Sequence, residues 1–523
     1  MHNVSMNLNN LVADKTSLAQ IVDWLAALSP DSVLTLVSDS RKIKRGQVFF
    51  AYPVGDADGR NYIEQAIEQG AIAVVYEADN FEWNPQWSLP HCAMSGLLEN
   101  SGFIASRYLQ QPDSDLFTVA VTGTNGKTSC TQWIASALSL LATPTSVIGT
   151  LGVGLAKNGS VSEFDVTGFT TPDAILLQQK IRSQRELGAQ AIAIEASSIG
   201  LAQGRMNGMH VDVAVLTNFT RDHLDYHGDM AQYQAEKTKL FVWPGLRTAV
   251  VNLDDPLGVQ LAAMCQAQGT NVIGYRLHSE ATTEAFASDT ILTASALRNH
   301  HGGTSFQLES PFGSGLVKTK MIGRFNVSNV LAVLAVLFAK GIAWRDAIHA
   351  VEQLLPVAGR MEQLSSAGRV LVVIDYAHTP DALEKTLQNL KEVAIERQGK
   401  LWCVFGCGGD RDPGKRAVMG GIAELADQII VTSDNPRSEN PESIIAQIAA
   451  GIAPDRDPAA ILQVDRAKAI LYAIKHAAKQ DVVLLAGKGH EPYQEIQGKK
   501  LPFSDSDHAH IALADLASKG GAA

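Results

Sequence analysis

A phosphate-binding loop is the clearest chemical feature of the sequence. The apolar run 117–121 leads into a turn that contains Gly123 and Gly126, and a helical pattern follows from Ser129. Two glycines let successive backbone N–H groups face one anion at a helix N-terminus. We expect Lys127 against the β- and γ-phosphates and the Thr128 hydroxyl on Mg²⁺. The residues predicted to contact the nucleotide are Gly123, Thr124, Asn125, Gly126, Lys127, Thr128 and Ser129.

The loop departs from the usual GxxxxGKS/T spacing, because Val121 stands where the first glycine belongs. A plain strand-to-helix turn with a solvent-facing lysine is the alternative interpretation. The strand before the loop and the helix after it favour nucleoside triphosphate binding. The loop alone does not identify the reaction.

Three further residues are candidates for metal binding or catalysis. Glu195 ends the apolar run 191–194, where a carboxylate could bind Mg²⁺, although an ordinary strand-end glutamate fits as well. His223 lies in the polar segment 218–227 and could bind a metal, contact phosphate or serve a structural role. Lys237 lies in a helical stretch, and its neighbours do not distinguish it from Lys239 on a solvated helix face.

The elements that must position these residues alternate between strand and helix. Short apolar runs stop at polar, glycine-containing loops, which is where open α/β sheets bind their ligands. At roughly 150 residues per domain, the 523 residues predict about three domains. We expect an α/β protein with an N-terminal domain at 1–111, a central P-loop-type ATPase domain with a mostly parallel sheet at 112–355, and a C-terminal Rossmann-like domain at 356–523.

Composition narrows the partners and the compartment. A net charge of −11 makes nucleic acid an improbable partner. The five cysteines are scattered, which indicates a reducing compartment rather than a disulfide framework. The N-terminus shows no secretory signal, and the longest apolar run, 330–339, is about half of a membrane span. We expect a cytoplasmic monomer without a membrane span.

The order of the motifs resembles the Mur ligase family, and within it the members that add diaminopimelate. The motifs span nearly the whole chain, and their joint occurrence is highly specific. The matching segments are 38–41, 122–128, 170–173, 195–198, 221–228, 323–329, 359–362, 375–380, 406–416, 434–437 and 487–491.

This resemblance implies one domain for a uridine nucleotide, a central ATPase domain and a C-terminal domain for the incoming amino acid. It implies that Lys237 is carbamylated by CO₂ (N6-carboxylysine) and, with Thr128, Glu195 and His223, holds two Mg²⁺ ions. Residues that would complete the ATP site are Asn326, Asn329, Arg360 and Asp375. Residues that would contact the UDP-linked muramoyl dipeptide are Ser40, Thr170, Thr171, Ser197, Gln203 and Arg205.

Selection of diaminopimelate over lysine requires a cation for the extra distal carboxylate, and arginine grips a carboxylate bidentately. Arg437 supplies that group, and an unpaired, buried Arg437 would penalise lysine by several kcal/mol. The residues that would bind diaminopimelate are Arg411, Asp434, Asn435, Pro436, Arg437, Gly487 and Glu491.

The expected reaction belongs to peptidoglycan precursor biosynthesis. ATP would activate the D-Glu carboxylate of UDP-N-acetylmuramoyl-L-alanyl-D-glutamate as an acyl phosphate, and meso-2,6-diaminopimelate would attack it. Lys127, Lys237, Glu195 and His223 are the predicted catalytic residues. The alternatives are a lysine-adding, other Mur-type or folylpolyglutamate-type ligase, or a nucleotide-binding switch without ligase chemistry.

Overall fold

A computed structural model of the chain describes residues 10–11, 16–278, 290–300, 303–364 and 370–520. These residues form two compact units. The first is built mainly from the described residues up to Tyr275 together with Ala332–Ala350, and the second mainly from Ile291–Leu331 and the residues from Val351 onward. Among the described residues, no helix combines the length and the apolar character that a membrane span requires.

The first unit begins with a five-stranded parallel sheet in the order β1-β7-β6-β3-β2. All residues of the neighbouring strands β3 and β6 are buried, because helices cover the sheet. The elements of this part are β1 (Asn10–Leu11), α1 (Leu18–Leu28), β2 (Leu36–Val37), β3 (Val48–Ala51), β4 (Pro53–Val54), β5 (Ala57–Asp58), α2 (Ile63–Glu68), β6 (Ala73–Glu77), β7 (His91–Met94) and α3 (Leu97–Tyr108).

The rest of the first unit is built on a sheet whose central strands are parallel, in the order β11-β10-β9-β12-β8-β13-β14-β15. The chain leaves β8, passes through α4 and enters β9, which is not the neighbour of β8 in the sheet. The later strand β12 lies between them. The elements are β8 (Phe117–Thr122), α4 (Lys127–Leu140), β9 (Thr145–Gly149), β10 (Gly152–Lys157), β11 (Ser160–Val161), α5 (Ala174–Glu186), β12 (Ala191–Glu195), α6 (Ser198–Ala202), β13 (Val213–Leu216), α7 (Leu224–His227), α8 (Met230–Thr238), β14 (Thr248–Asn252), α9 (Pro256–Ala267) and β15 (Asn271–Leu277).

The second unit contains an antiparallel meander that the sequence analysis did not predict. Its strands are β16 (Ile291–His300), β17 (Gly303–Ser310) and β18 (Gly313–Thr319), and each pairs with the next. In β17, buried and more exposed residues alternate from Thr304 to Leu308, as expected for a strand with one face on a core. Two helices follow, α10 (Arg324–Ala339) and α11 (Trp344–Gln353), and both contain residues of the two units.

The C-terminal part of the second unit is a six-stranded sheet in the order β19-β20-β24-β21-β22-β23, parallel except for β19 at one edge. Its elements are β19 (Glu362–Leu364), β20 (Leu371–Asp375), α12 (Pro380–Glu396), β21 (Leu401–Phe405), α13 (Gly414–Ile422), β22 (Gln428–Thr432), α14 (Pro441–Ala449), β23 (Ile461–Gln463), α15 (Arg466–His476), β24 (Val482–Ala486), β25 (Tyr493–Ile496), β26 (Lys499–Pro502) and α16 (Asp505–Gly520).

The carboxyl ends of the parallel strands lead into the segments that the sequence analysis singled out. In the first unit, the phosphate loop follows β8 and Glu195 ends β12. In the second unit, segment 434–437 lies just beyond β22 and Gly487 follows β24 directly. The expected α/β class is confirmed, and open sheets of this kind bind ligands at this edge. The predicted boundaries at 111 and 355 stay predictions.

Candidate active site

The phosphate loop is fixed between the end of β8 and the start of α4. Gly123 has a φ of +148°, and a Cβ there would lie 1.9 Å from the Thr217 hydroxyl oxygen, so a side chain would clash. Gly126 takes the left-handed conformation at the start of the helix, with φ +84°. The Lys127 ammonium donates to the carbonyl oxygens of Gly123 and Thr124, at 2.8 Å each. The cation therefore lies over the loop at a helix N-terminus, where anions bind.

Residues beyond the neighbouring strand β13 hold the loop from one side. The Asn218 Oδ1 accepts from the backbone N–H of Asn125 at 2.9 Å, and the Thr217 hydroxyl donates to the Asn125 carbonyl at 2.6 Å. The Thr124 hydroxyl donates to the carbonyl of Thr220 at 3.0 Å. Thr217 and Asn218 were not among the predicted site residues. The signal that could have found them is their place at the end of the strand beside β8.

Glu195 and Thr128 form a small oxygen-rich site beside the loop. Glu195 is 1% exposed, and its Oε2 accepts from the Thr128 hydroxyl at 3.1 Å. Its carboxylate also accepts from the Thr150 backbone N–H at 2.8 Å and from the Thr150 hydroxyl at 3.2 Å. A carboxylate and a hydroxyl at this separation are hard oxygen donors, so these residues fit Mg²⁺ bound together with phosphates and water.

Lys237 is distinguished by burial. It is 1% exposed on α8, its Nζ donates to the Gly123 carbonyl at 2.8 Å, and it lies 4.6 Å from the centre of the Tyr233 ring. Burial and the nearby charge of Lys127 lower its pKa well below the usual value, with Asp222 opposing them. Lys239, in contrast, is half exposed and paired with Glu236. Burial favours the neutral form of this amine, which is the nucleophilic form that carbamylation by CO₂ requires.

His223 lies on the same side of the loop, just before α7. Its φ is +53°, and its Nε2 is 3.4 Å from the Asp222 carboxylate. Partial burial lowers its pKa and the charge of Lys127 acts in the same direction, while Asp222 opposes both. The imidazole is therefore favoured in the neutral form at neutral pH, which suits a metal ligand better than a cationic phosphate contact.

All six residues predicted for the muramoyl dipeptide belong to the first unit, and five of them lie close to the end of β12. The Thr171 hydroxyl contacts the Ser197 hydroxyl at 2.9 Å, and the Thr170 hydroxyl contacts that of Thr150 at 3.1 Å. Arg205 donates to the Thr171 carbonyl at 2.8 Å and to the Gln203 side chain at 2.7 Å.

The sixth residue, Ser40, lies in the N-terminal part of this unit, and its neighbour Ser38 contacts the part built on the second sheet. Ser40 donates to the Gln65 side chain at 3.3 Å, within the N-terminal part. Ser38 bonds Asp173, the N-cap of α5, at 3.0 Å. The Thr171 hydroxyl donates to the Glu195 carbonyl at 2.7 Å. The predicted dipeptide site therefore adjoins the strand that carries the metal candidate.

The four residues expected to complete the nucleotide site belong to the second unit. Asn326 and Asn329, at 4% and 5% exposure, lie in the first turns of α10. The Arg360 guanidinium lies 4.7 Å from the centre of the Tyr376 ring. Asp375 accepts from the Met361 backbone N–H at 2.8 Å, and burial raises its pKa while Arg360 opposes that rise.

The predicted amino-acid pocket contains a buried lysine that the sequence analysis did not name as a site residue. Lys488 is fully buried, and its Nζ lies 3.1 Å from both the Asn435 Oδ1 and the Glu491 Oε2 and 3.6 Å from Asp434. Asn435 in turn donates to Glu491 at 2.8 Å. Burial raises the pKa of Asp434, and the charges of Arg466 and Lys488 oppose that rise. The signal that pointed to Lys488 was its place in segment 487–491, between two named residues.

Backbone packing closes this pocket. A Cβ at Gly487, where φ is +110°, would lie 2.9 Å from an Asp434 carboxylate oxygen. A Cβ at Gly409 would lie 2.0 Å from the Pro436 carbonyl oxygen, so loops 406–412 and 434–437 touch through their main chains.

The two predicted carboxylate-binding arginines differ in their surroundings. Arg437 donates from Nη1 to the Gly409 carbonyl at 2.7 Å, and its Nε is 3.3 Å from the Glu495 carboxylate. Arg411 is exposed. The premise of an unpaired, buried Arg437 is therefore wrong, since its side chain is 24% exposed and has a carboxylate partner. The penalty against lysine is accordingly smaller than that premise implied.

Comparison with known proteins assigns this arrangement to a family. The profile described as the Mur ligase family catalytic domain matches residues 35–92, the Mur ligase middle domain matches 121–337, and the Mur ligase glutamate ligase domain matches 359–489. A protein of Janthinobacterium sp. (strain Marseille) is 57% identical over 507 residues, which cover 97% of this chain and 98% of that protein. The chain belongs to the Mur ligase family.

Other relatives agree with this assignment. The Janthinobacterium protein is named UDP-N-acetylmuramoyl-L-alanyl-D-glutamate–2,6-diaminopimelate ligase, and so is a Pseudomonas aeruginosa protein that is 44% identical over 480 residues, 92% of this chain and 94% of that one. A solved structure of a protein with the same name is 34% identical, with a TM-score of 0.64, and covers 94% of this chain and 99% of that one. The ADP complex of MurF ligase from Thermotoga maritima, at 18% identity and TM-score 0.59 over 87% of this chain and 93% of that one, shows the shared fold.

This Mur ligase is an ATP-dependent ligase with the three-domain α/β fold that the sequence predicted. One end of the first unit's parallel sheet, at the carboxyl ends of its strands, carries the phosphate loop, Glu195, His223 and Lys237. The corresponding end of the second unit's sheet carries the residues predicted to bind the amino acid. The roles of the individual residues stay predictions.

Proposed function

We propose that this Mur ligase joins meso-2,6-diaminopimelate to the D-Glu residue of UDP-N-acetylmuramoyl-L-alanyl-D-glutamate, with ATP as the energy source. Four relatives named for this reaction are 44–57% identical to the chain over 95–98% of its length. The product would be a precursor of peptidoglycan.

The observation that carries the proposal is the charge pattern of the pocket in the second unit. The Arg437 guanidinium and the Glu491 carboxylate both lie at the carboxyl ends of the parallel strands. Arg437 donates there to the Gly409 carbonyl, and Glu491 accepts from the Asn435 side chain. The distal end of diaminopimelate carries one carboxylate and one ammonium, so it can pair with both groups. Lysine has the ammonium alone.

In the first unit, this chain's residues bind and activate the other two substrates. Lys127 and the N-terminus of α4 face the phosphates, and Thr128 and Glu195 would hold Mg²⁺. When bound, Mg²⁺ neutralises the negative charge that develops on the transferring phosphoryl group. A carbamate on Lys237 would supply anionic oxygens for a second Mg²⁺, and the lowered pKa of this amine supports that modification.

The chemistry proceeds in two steps. A side-chain oxygen of the D-glutamyl carboxylate attacks the γ-phosphorus of ATP, ADP leaves, and an acyl phosphate forms. The diaminopimelate amine then attacks the acyl carbon. A C–N bond forms, the C–O bond to phosphate breaks, inorganic phosphate leaves, and the nitrogen loses a proton. The residues predicted to bind the dipeptide adjoin Glu195. This proximity supports transfer of the γ-phosphoryl group to the D-glutamyl carboxylate of the substrate.

An amino-acid panel tests the proposal. Purified protein, ATP, Mg²⁺ and the UDP-linked dipeptide are combined with diaminopimelate, lysine, ornithine or glutamate, and product mass and ADP are measured. We expect ligated product and ADP release with diaminopimelate and much less with lysine. Equal use of lysine would identify a lysine-adding enzyme, and ADP release that does not depend on the amino acid would favour a nucleotide-binding switch.

We further propose that the enzyme acts in the cytoplasm as a monomer. The compartment supplies ATP and UDP-linked precursors, and all five cysteines are buried free thiols. Light scattering on the purified protein tests the monomer: a mass near 56 kDa is expected, and about twice that mass would contradict it.

A further inference from the structure

The pocket around Arg437 has a second wall, made by strand β25. The Gln494 amide donates to the Asp434 carbonyl at 2.6 Å, and the Glu495 N–H donates to the Asn435 Oδ1 at 2.9 Å. The Arg437 N–H donates to the Glu495 carbonyl at 3.0 Å. These bonds fix the register of the strand against loop 434–437. They also place the Glu495 side chain beside the guanidinium.

The Glu495 carboxylate is therefore the resident partner of Arg437. Its Oε2 lies 3.3 Å from the Arg437 Nε, and the two side chains are about equally exposed, at 25% and 24%. A guanidinium has five N–H donors, so a second carboxylate can pair with the same cation. An incoming distal carboxylate would then share Arg437 with Glu495, or displace it.

We infer that Glu495 is a positioning residue that sets amino-acid selection through Arg437. This inference rests on the proposed function. By occupying Arg437, Glu495 competes with the distal carboxylate of diaminopimelate and weakens its binding. It also gives Arg437 a partner when lysine enters, so lysine meets a smaller penalty than an unpaired guanidinium would impose. Glu495 thus lowers the discrimination that Arg437 provides.

The test compares Glu495→Gln with Glu396→Gln, which makes the same charge change at an exposed position on α12. For Glu495→Gln we expect the KM for diaminopimelate to fall about two- to fivefold, the range for a partly exposed ion pair. The ratio of kcat/KM for diaminopimelate over lysine should rise by a similar factor. The kcat and the KM for ATP should stay at the wild-type values. A structural defect, in contrast, would change these two quantities as well.

The KM for diaminopimelate in the variants decides whether the inference holds. Arg437→Ala should raise the KM for diaminopimelate, in the opposite direction. A Glu495→Gln enzyme with the KM and the ratio of Glu396→Gln, or with a raised KM, overturns the inference. If Glu495→Gln does not fold, Glu495→Asp retracts the carboxylate and is expected to lower the KM, and an unchanged KM overturns the inference. A wild type that does not use diaminopimelate overturns the proposed function together with this inference, whereas an active wild type with an unresponsive Glu495→Gln overturns the inference alone.

Discussion

Each unit of this Mur ligase buries one lysine at its candidate site, and the two lysines have opposite surroundings. Lys237, beside the phosphate loop, donates to the Gly123 carbonyl and has the cation Lys127 nearby. Lys488, in the predicted amino-acid pocket, faces the carboxylates of Asp434 and Glu491 and the Asn435 side-chain oxygen. Both side chains are at most 1% exposed.

This difference indicates different uses of a buried amine. A charge buried without full compensation costs free energy, which folding tolerates only where function needs the group. Lys237 fits that case. Burial disfavours its charged form, and the neutral amine can be converted to a carbamate. The positive charge of Lys488 is balanced by neighbouring carboxylates, so we expect it to hold the pocket together. Loss of the first lysine should therefore affect activity, and loss of the second should affect stability.

The largest effect is expected for Lys237→Met. Loss of the proposed metal ligand should lower kcat by about 10³-fold, the scale of removing a preorganised electrostatic contact. The stability should stay equal or rise, because a buried amine next to Lys127 is replaced by an apolar chain of similar length. Steady-state kinetics and denaturant unfolding measure the two quantities.

Lys239→Met is the matched control, since Lys239 is half exposed on the same segment. It should keep activity and change the unfolding free energy by less than about 0.5 kcal/mol. Equal losses of activity in the two variants, or strong destabilisation by Lys237→Met, would show that Lys237 is structural and that the contrast between the two lysines does not hold.

The next effect is expected for Lys488→Met. It leaves two carboxylates next to each other in a buried site, so the unfolding free energy should fall by about 3 kcal/mol, which is the scale of breaking a buried pair. Denaturant unfolding of the whole chain measures the change. Lys488→Met combined with Asp434→Asn removes one of the uncompensated charges and should recover part of the loss. A double variant that is as unstable as the sum of the single variants would argue against this electrostatic account.

The two regions also differ in how far the sequence predicted them. The phosphate loop is local: the strand, the two glycines and Lys127 are contiguous, so their geometry follows from the motif. Even there, the burial that separates Lys237 from Lys239 depends on how α8 packs, and composition does not show it. The meander β16–β18 carries a local strand signal in the alternation along β17, but it contains none of the motifs from which the domains were predicted.

The predicted amino-acid pocket is assembled from strand ends that lie far apart in the chain. Segment 434–437 and segment 487–491 are both recognisable, but the contact between Asn435 and Lys488 spans 53 positions. The same holds for Glu495, whose pairing with Arg437 depends on the docking of β25. Whether Arg437 has a resident carboxylate partner depends on the three-dimensional fold, and the motif at 434–437 does not contain that information.

A smaller effect extends the comparison to pH. The pKa of His490, in the loop that carries Lys488, is lowered to about 4, mainly by burial and further by Arg360. Between about pH 4 and 6.5 the unfolded chain then binds a proton that the folded protein does not, so stability falls as the pH falls through this window. His490→Gln removes that proton uptake. Its loss of unfolding free energy between pH 6.5 and 4 should be about 1–2 kcal/mol smaller than in the wild type, allowing for partial exposure of the ring.

The corresponding group of the phosphate-loop region is the Lys237 amine, whose pKa burial also lowers. Burial lowers the pKa of the unmodified Lys237 amine well below 10.5, so the unfolded chain binds a proton that the folded protein does not, and stability rises as the pH rises toward 10.5. Unfolding curves of His490→Gln, Lys237→Met and the wild type across pH separate the two contributions, with the exposed His510→Gln as the control. Parallel curves for His490→Gln and the wild type between pH 4 and 6.5 would mean that the buried imidazole does not control acid stability. The acid-sensitive group of the second unit would then lie elsewhere, and Asp434 is not a candidate, because burial raises its pKa and its proton linkage therefore raises stability as the pH falls.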